Sequence, residues 1–428
     1  MKYQNVILHI ESLIKKGDLS SGSKLPSVRI LAKELGCSKS TVTKSYELLV
    51  QNKLAYSIEK SGFFLMNDPQ ERLMSNRIEF NQVICSDGII DKNKLQQLLN
   101  RSFNQQANFT EQDIEGLYPL REKLKHYFKV RKMFAGTHDI FIMPSFVQCV
   151  AAILSINGLN GGIVVEDPID KNIVNLFKRK KHVHLLSREL SIDFNLLELL
   201  FIKEDIQVLF ITPHIHIPTG VSLDLIEKKQ LLELCDRYEV KIIEINNFEE
   251  AYSYEESQSL FALDKKDIVF HIKTFNHVIS SHINLVALIV PKAYNSRVKY
   301  YKETMLGFTT LFEQLLLTQF LESKITSTQF IKKQEQNFAV LMDYLNDFDD
   351  FDVYFTDAPL FAFVKVPFHF NLETMVLELG RQNIIIEGLK DYFIKEHTFK
   401  GFIISINSVS NRELYQVLQT IKNAINII

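Results

Sequence analysis

The first 66 residues repeat apolar side chains at helical spacing three times and then switch to short apolar blocks. Tyr3, Val6, Ile7, Ile10, Leu13 and Ile14 form one stripe, which predicts a first helix ending near Lys16-Gly17. Residues 20–23, Ser-Ser-Gly-Ser, predict a turn. Ser27 is placed to cap a second helix that turns Val28, Leu31, Ala32 and Leu35 inward. Gly36-Cys37 makes a corner, and Ser38 caps a third helix with Val42, Tyr46 and Leu49 inward. Apolar blocks at 54–58 and 63–65 flank Glu59-Lys60-Ser61-Gly62 and predict a hairpin. Helix, helix, corner, capped helix and hairpin in that order predict a winged helix-turn-helix over residues 1–66. The polar stretch 67–77 reads as a linker.

From residue 78 the pattern changes. Nearly continuous apolar runs at 163–166, 183–186, 207–212, 240–244, 268–272 and 285–290 alternate with helical patterns. Runs apolar on both faces are strands covered by helices on both sides, which predicts an α/β body with a mixed, mainly parallel sheet. A long helical pattern spans about 311–346. Strand-like 353–355 and 360–366, a helix near 371–382, a strand at 402–406 and a final helix from Arg412 predict a small α+β part. The expected division is a body of residues 78–428, with a large part at about 110–315 and a small part at about 316–428.

Composition adds three limits. No apolar run among the 428 residues approaches the ~18–20 that a spanning helix needs. The first residues lack a basic stretch followed by a long apolar run, so no leader is expected. Cys37, Cys85, Cys149 and Cys235 are scattered, so neither a disulfide framework nor a cysteine-rich zinc site is expected, and a reducing cytoplasm fits. The net charge of −2 hides an asymmetry. Residues 1–66 carry ten Lys or Arg against five acids, a head at +5 on a body at −7. A basic head on an acidic body suits contact with a polyanion.

A helix entering the major groove needs short polar and basic residues at its start and donors for the flanking phosphates. Ser38, Lys39, Ser40, Thr41 and Lys44 supply them on the face opposite Val42, Tyr46 and Leu49. Arg29 is placed to reach a phosphate or a guanine edge, and Gly62 lets the backbone approach the sugar-phosphate chain. Lys24 and Ser27 complete the expected DNA-facing set. The string Gly22-Ser23-Lys24-Leu25-Pro26-Ser27-Val28-Arg29-Ile30-Leu31-Ala32, followed by Leu35-Gly36-Cys37-Ser38-Lys39-Ser40-Thr41-Val42 and Lys60-Ser61-Gly62-Phe63-Phe64, resembles the GntR family of bacterial transcription regulators. The resemblance implies double-stranded operator DNA as partner, read by a homodimer. Cys37 is expected to be a small corner residue rather than a redox switch.

The body carries ordered landmarks: Gly116-Leu117-Tyr118-Pro119-Leu120-Arg121, Val164-Val165-Glu166-Asp167-Pro168, Thr212-Pro213, Pro218-Thr219-Gly220, Ile242-Ile243-Glu244 and Thr274-Phe275. Together they resemble the MocR/PdxR-like subfamily, whose body is a fold type I aminotransferase. The resemblance implies pyridoxal phosphate, and the residues depart from it at each point of contact. His277 stands where the Schiff-base lysine would end a Thr-Phe-Ser-Lys string, and an imidazole cannot form an aldimine. Ile245 replaces the carboxylate at the pyridine nitrogen. Asn247 replaces a tyrosine, and Asn284 replaces an arginine at the phosphate. The glycine-rich phosphate turn falls on Pro144-Ser145-Phe146-Val147, the stacking aromatic near Ile169 and the substrate-binding arginine near Ile403.

The expectation is therefore a regulator that is not an enzyme, with no resident cofactor and no metal. The old crevice, His216, Ile245, Asn247, Asn276, His277 and Asn284, is its candidate pocket for a small-molecule effector. Two alternatives remain. One is a pyridoxal phosphate-dependent regulator or aminotransferase using Lys273, which four residues of extended strand would set roughly 13 Å from position 277. The other is a constitutive dimer without ligand. His214, His216, His271, His277 and His282 lie on three segments of that crevice, where imidazoles could hold a metal, but drift toward half-polar filling is the simpler account. Glu249-Glu250 is expected to be surface charge.

Overall fold

The computed structural model describes residues 6–10, 12–13, 19, 23–51, 55–58, 62–65, 78–79, 92–104, 113–156, 159, 161–248, 250, 258–277, 279–280, 283–323, 328–346, 351–395, 397–406 and 411–427. The chain forms two compact units, Met1–Ile78 and Glu79–Ile428. The expected linker, 67–77, lies outside the described residues. No helix among the described residues is long and apolar enough to cross a membrane.

In the head, α1 (Val28–Glu34) and α2 (Lys39–Gln51) form where the capping residues predict them. The Ser27 hydroxyl accepts from Ile30 N at 3.3 Å and the Ser38 hydroxyl from Thr41 N at 3.2 Å. Gly36 takes φ +60°, the left-handed turn that a side chain resists, and so makes the corner. Val42, Tyr46 and Leu49 are buried with Val6, Ile10, Leu31 and Ala55 in one core. The Tyr46 hydroxyl donates to the Pro26 carbonyl at 2.7 Å and fixes the entry of α1.

β1 (Ala55–Ile58) and β2 (Gly62–Leu65) pair antiparallel, Ala55 opposite Leu65. A β-bridge to the hairpin is present that the pattern did not predict. Lys24 bridges Phe64, Leu25 N donates to Phe63 O and Leu65 N to Ser23 O, both at 2.9 Å. The carbonyl of residue 23, expected in a turn, is thus bonded to the hairpin. Gly62 adopts φ +111°, and a Cβ there would sit 3.3 Å from Lys24 Cε. Gly62→Ala is expected to cost more than about 1 kcal/mol of head stability through that backbone angle, read by thermal melting of the far-ultraviolet circular dichroism.

The body is built on seven strands: β3 (Ile140–Met143), β4 (Gly162–Asp167), β5 (Val183–Ser187), β6 (Ile206–Ile211), β7 (Lys241–Asn246), β8 (Val269–Thr274) and β9 (Val286–Ile289). Their order is β3-β9-β8-β7-β6-β4-β5. β5, β4, β6, β7 and β8 run parallel, while β9 lies antiparallel to both β8 and β3. β3 went unrecognised in the pattern. One face buries Phe141, Val165, Phe210, Ile243 and Ile272, and the other buries Val164, Leu209 and Ile242 beside Ile140 and Ala287. Side chains buried on both faces explain the unbroken apolar runs.

The small sheet is β10 (Asp352–Phe355), β11 (Phe361–Val366), β12 (Glu387–Gly388) and β13 (Lys400–Ser405), ordered β10-β11-β13-β12 and all antiparallel. The single long helix expected over 311–346 is two helices, Leu311–Glu322 and Thr328–Leu345. Leu316 and Leu317 of the first pack with Leu120, Leu124 and Phe128 in the core of the large sheet, so that helix belongs to the large part.

Candidate functional site

The head presents one polar face. Lys24, Ser27, Arg29, Ser38, Lys39, Ser40 and Lys44 are exposed, and Thr41 and Gly62 are half-exposed. The same helical period that buries Val42, Tyr46 and Leu49 turns Lys39, Ser40 and Lys44 outward. At the start of α2 the Ser38 hydroxyl lies 2.8 Å from both Ser40 Oγ and Thr41 Oγ1, so three hydroxyls form one cluster at its N-terminus. Partial positive charge at that end suits a phosphate. The bridge to Phe64 brings the Lys24 side chain beside Gly62, so its ammonium joins the hairpin tip rather than the preceding turn. Cys37 is half-buried in the corner.

In the body, the carboxyl ends of β4 to β8 define the crevice where an open parallel sheet places ligands. Two buried polar clusters stand there. The first is centred on Glu166. Arg188 Nε donates to Glu166 Oε1 and Thr212 N to Glu166 Oε2, both at 2.7 Å, and both ion-pair side chains are fully buried. Burial pushes the Glu166 carboxyl up to about 7 against the pull of Arg188. His216 Nε2 donates to the Pro168 carbonyl at 3.0 Å, so its Nδ1 accepts from Thr219 Oγ1 at 2.8 Å. Burial first, and Arg188 second, hold His216 well below the usual imidazole value.

The second cluster is centred on Glu250 and overturns two expectations. Glu250 is not surface charge: its side chain is 11% exposed and accepts three donors. Lys273 Nζ and His277 Nε2 both donate to Oε2, at 2.8 and 2.9 Å, and the Tyr127 hydroxyl donates to Oε1. Lys273 also donates to the Asn247 carbonyl at 3.1 Å. Burial alone would raise the Glu250 carboxyl, but Lys273, His277 and Arg131 together hold it well below the usual range. The expected separation of positions 273 and 277 fails because the strand ends at Thr274 and the chain turns at Asn276-His277. Both nitrogens therefore reach one oxygen. Glu249 lies outside the described residues.

The six candidate pocket residues are only partly gathered. Asn247 and His277 belong to the Glu250 cluster, with the Asn247 Oδ1 accepting from Thr274 Oγ1 at 2.8 Å. Asn276 Oδ1 accepts from His277 N at 3.0 Å. His216 belongs to the Glu166 cluster. Ile245 is buried in the sheet core. Asn284 is exposed, with its amide on Glu313 Oε1 at 3.3 Å, and does not join the others.

The remaining positions fill in the same way. Ser145 caps helix Phe146–Ile153, accepting from Gln148 N at 3.2 Å. Ile169 and Ile403 are buried. His214 and His216 do not share a face, because Ile215 takes φ +44° between them. His214 Nε2 instead lies 3.0 Å from Lys228 Nζ, and His271 Nδ1 donates to Glu244 Oε2 at 2.8 Å. His282 lies outside the described residues.

Residues 2–65 match the family described as "Bacterial regulatory proteins, gntR family". The whole chain is similar to the uncharacterized HTH-type transcriptional regulator YcxD of Bacillus subtilis (strain 168), 21% identical over 96% of this chain and 97% of that one. It is also similar to the HTH-type transcriptional regulator NorG of Staphylococcus aureus (strain bovine RF122 / ET3-1), 20% identical over 93% and 99%. Among solved structures, the kynurenine aminotransferase of Pyrococcus horikoshii overlays with a TM-score of 0.74 at 16% identity, over 83% of this chain and 93% of that one. An archaeal alanine:glyoxylate aminotransferase overlays with a TM-score of 0.74 at 15% identity, over 90% and 95%. The chain thus joins a gntR-family helix-turn-helix head to a body with the aminotransferase fold.

Proposed function

We propose that this chain is a DNA-binding transcription regulator of gntR type that acts as a homodimer on double-stranded operator DNA, with a body that does no pyridoxal phosphate chemistry. The observation that carries the regulator reading is the polar face of the head, where Arg29, Ser38, Lys39, Ser40 and Lys44 all stand exposed around a capped helix start. The names of the similar full-length relatives support it. Large apolar side chains left in water on the body, Tyr118, Phe134, Tyr300 and Phe308, support pairing with a second copy. The selection of bound duplexes from a random library tests the reading. Expected is enrichment of a two-fold or repeated motif; no enriched motif would overturn it.

The residues of the crevice do not fit pyridoxal phosphate. Its carbonyl needs a free amine, and the amine nearest the family position is tied to Glu250 and Asn247 in a fully buried place. Ile245 offers the pyridine nitrogen no carboxylate. The rival reading is a regulator that still carries the cofactor on Lys273, and it is favoured by the short path from Lys273 to His277. Incubation of the purified chain with pyridoxal phosphate followed by dialysis separates the two. Expected is no retained near-visible band; a retained band that Lys273→Ala removes would establish the rival.

A further inference from the structure

The small part of the body holds a cavity of about 780 Å³ against the first turns of helix Leu372–Arg381. That volume lies within the roughly 300–1,000 Å³ of small-molecule sites. Two phenyl rings of its lining are held by other rings. Phe370 stands edge to face with Phe351, ring centres 5.2 Å apart, and Phe399 stands so with Phe393, also at 5.2 Å. Rings fixed in this way offer a flat ligand a ready surface. Leu372, Val376 and Ile386 complete the apolar lining. The charged lining is balanced in sign. Glu387 is spent on Lys171, whose Nζ lies 2.7 Å from Oε1. Glu373, Asp391 and Lys390 make no hydrogen bond or ion pair among the described residues. Lys400 uses one N–H on the Phe368 carbonyl, at 2.8 Å, and keeps two. Two carboxylates and two ammoniums thus have bonding capacity to spare, and none of the four pairs with another. His369 and His397 leave the balance unchanged, since a neutral imidazole carries one donor and one acceptor. Gly388 fixes how these groups stand: a Cβ there would sit 3.1 Å from Leu372 Cδ2, so β12 lies directly on the first turn of the helix. Glu373 follows Leu372, and Lys390-Asp391 follow Gly388 closely, so groups of both signs flank one contact.

A net anion or a net cation in this cavity meets one repelling pair, and a ring without polar edges leaves all four groups unmatched. A flat neutral ring with donors beside acceptors matches both signs and uses the phenyl surfaces. Guanine has that edge: N1–H and the N2 amino group donate side by side, and O6 and N7 accept side by side. Adenine has a single donor group. We infer that this cavity binds guanine or its nucleoside, the ring against Phe370 and Phe399, the donor edge toward Glu373 and Asp391, and O6 and N7 toward Lys390 and Lys400. The same wall runs on to the old crevice. The Tyr392 carbonyl accepts from Ile169 N at 2.9 Å, and Ile394 N donates to Asp167 Oδ1 at 2.8 Å. A ligand on Lys390 and Asp391 therefore bears on the segment bonded to the end of β4. The binding stands on the cavity alone. That it changes operator affinity rests on the proposed regulator function.

Equilibrium dialysis of the full chain against tritium-labelled guanosine tests the site. Expected is saturable uptake of one molecule per chain. Inosine, which lacks the N2 amino group, and 7-deazaguanosine, which lacks N7, are expected to compete at least about tenfold less well, the worth of one good contact to a base edge. Adenosine is expected to compete no better than inosine. Glu373→Gln with Asp391→Asn, and separately Lys390→Gln with Lys400→Gln, are expected to weaken uptake by the same factor. Val376→Phe, which fills the wall, is expected to abolish it. The carboxylate variants carry the test should Val376→Phe not fold, since Glu373 and Asp391 are exposed. Uptake that stays linear, competition by adenosine equal to that by guanosine, or affinity unchanged in both charge-removing variants would overturn the inference. Anisotropy of a labelled selected duplex, with and without guanosine, then reads regulation. Failure to bind any duplex would sink the regulator reading while leaving the dialysis result standing.

Discussion

Glu250→Ala is expected to destabilise the body by about 3–5 kcal/mol, the cost of leaving a buried cation without its counter-ion. Lys273 is fully buried, and its other hydrogen bond is to the neutral carbonyl of Asn247, so among the described residues no second anion offsets its charge at hydrogen-bond range. His277 loses the same partner. Urea unfolding followed by circular dichroism measures the loss. Glu250→Leu combined with Lys273→Met removes both charges and is expected to restore most of it, since apolar replacement of a buried pair is often neutral or stabilising. A double variant no more stable than Glu250→Ala would show that the pair is not the source. The pH dependence has a defined sign. The folded-state Glu250 carboxyl is held well below its usual value, so its contribution is complete above the unfolded carboxylate value of about 4.3 and is lost as pH falls through the folded value. A Glu250→Gln chain is expected to lose less stability on acidification than the parent.

This cluster also marks the limit of what could be read from residue order. The head was legible because each of its devices is local. Ser27 and Ser38 precede their helices by one residue, Gly36 makes its own corner, and Val42, Tyr46 and Leu49 are one helical stripe. The strands β4 to β9 were legible because a strand apolar on both faces announces itself. β3 was not: its four residues run through Pro144-Ser145 into the apolar helix Phe146–Ile153, and the two merge in a sliding pattern. The bridge at Lys24 was hidden because its pairing comes from Phe63 and Phe64, nearly forty residues away. In the crevice, the replaced positions were legible singly. Their mutual geometry was not, because it depends on where β8 stops. An extended chain would have separated Lys273 from His277, and the turn after Thr274 brings both to Glu250. One signal was available: an acid beyond the end of a buried strand, facing a lysine within another buried strand, has few ways to be satisfied except by pairing.

Arg29→Ala is expected to weaken binding to a selected operator by about ten- to a hundredfold, the range for loss of one good arginine contact to a base or its phosphate. Arg29 is exposed on α1 and makes no hydrogen bond or ion pair among the described residues, so its removal leaves the core of Val42, Tyr46 and Leu49 intact. The melting temperature should therefore hold while affinity falls. Salt separates two roles. If Arg29 neutralises a phosphate, the slope of log affinity against log salt becomes shallower by about 1, and the loss is the same on every duplex. If it reads a guanine edge, the slope changes less and preference at one base position relaxes. Lys44→Ala serves as a comparison, since Lys44 is exposed further along α2 and is expected to act on phosphate alone. An Arg29→Ala chain that binds the operator as tightly as the parent at about 150 mM salt, where surface charges more than ~8 Å apart are largely screened, would show that α1 does not touch DNA. The interface would then be confined to α2 and the Lys24–Gly62 tip, where the bridge from Lys24 to the hairpin still brings an ammonium beside a bare backbone.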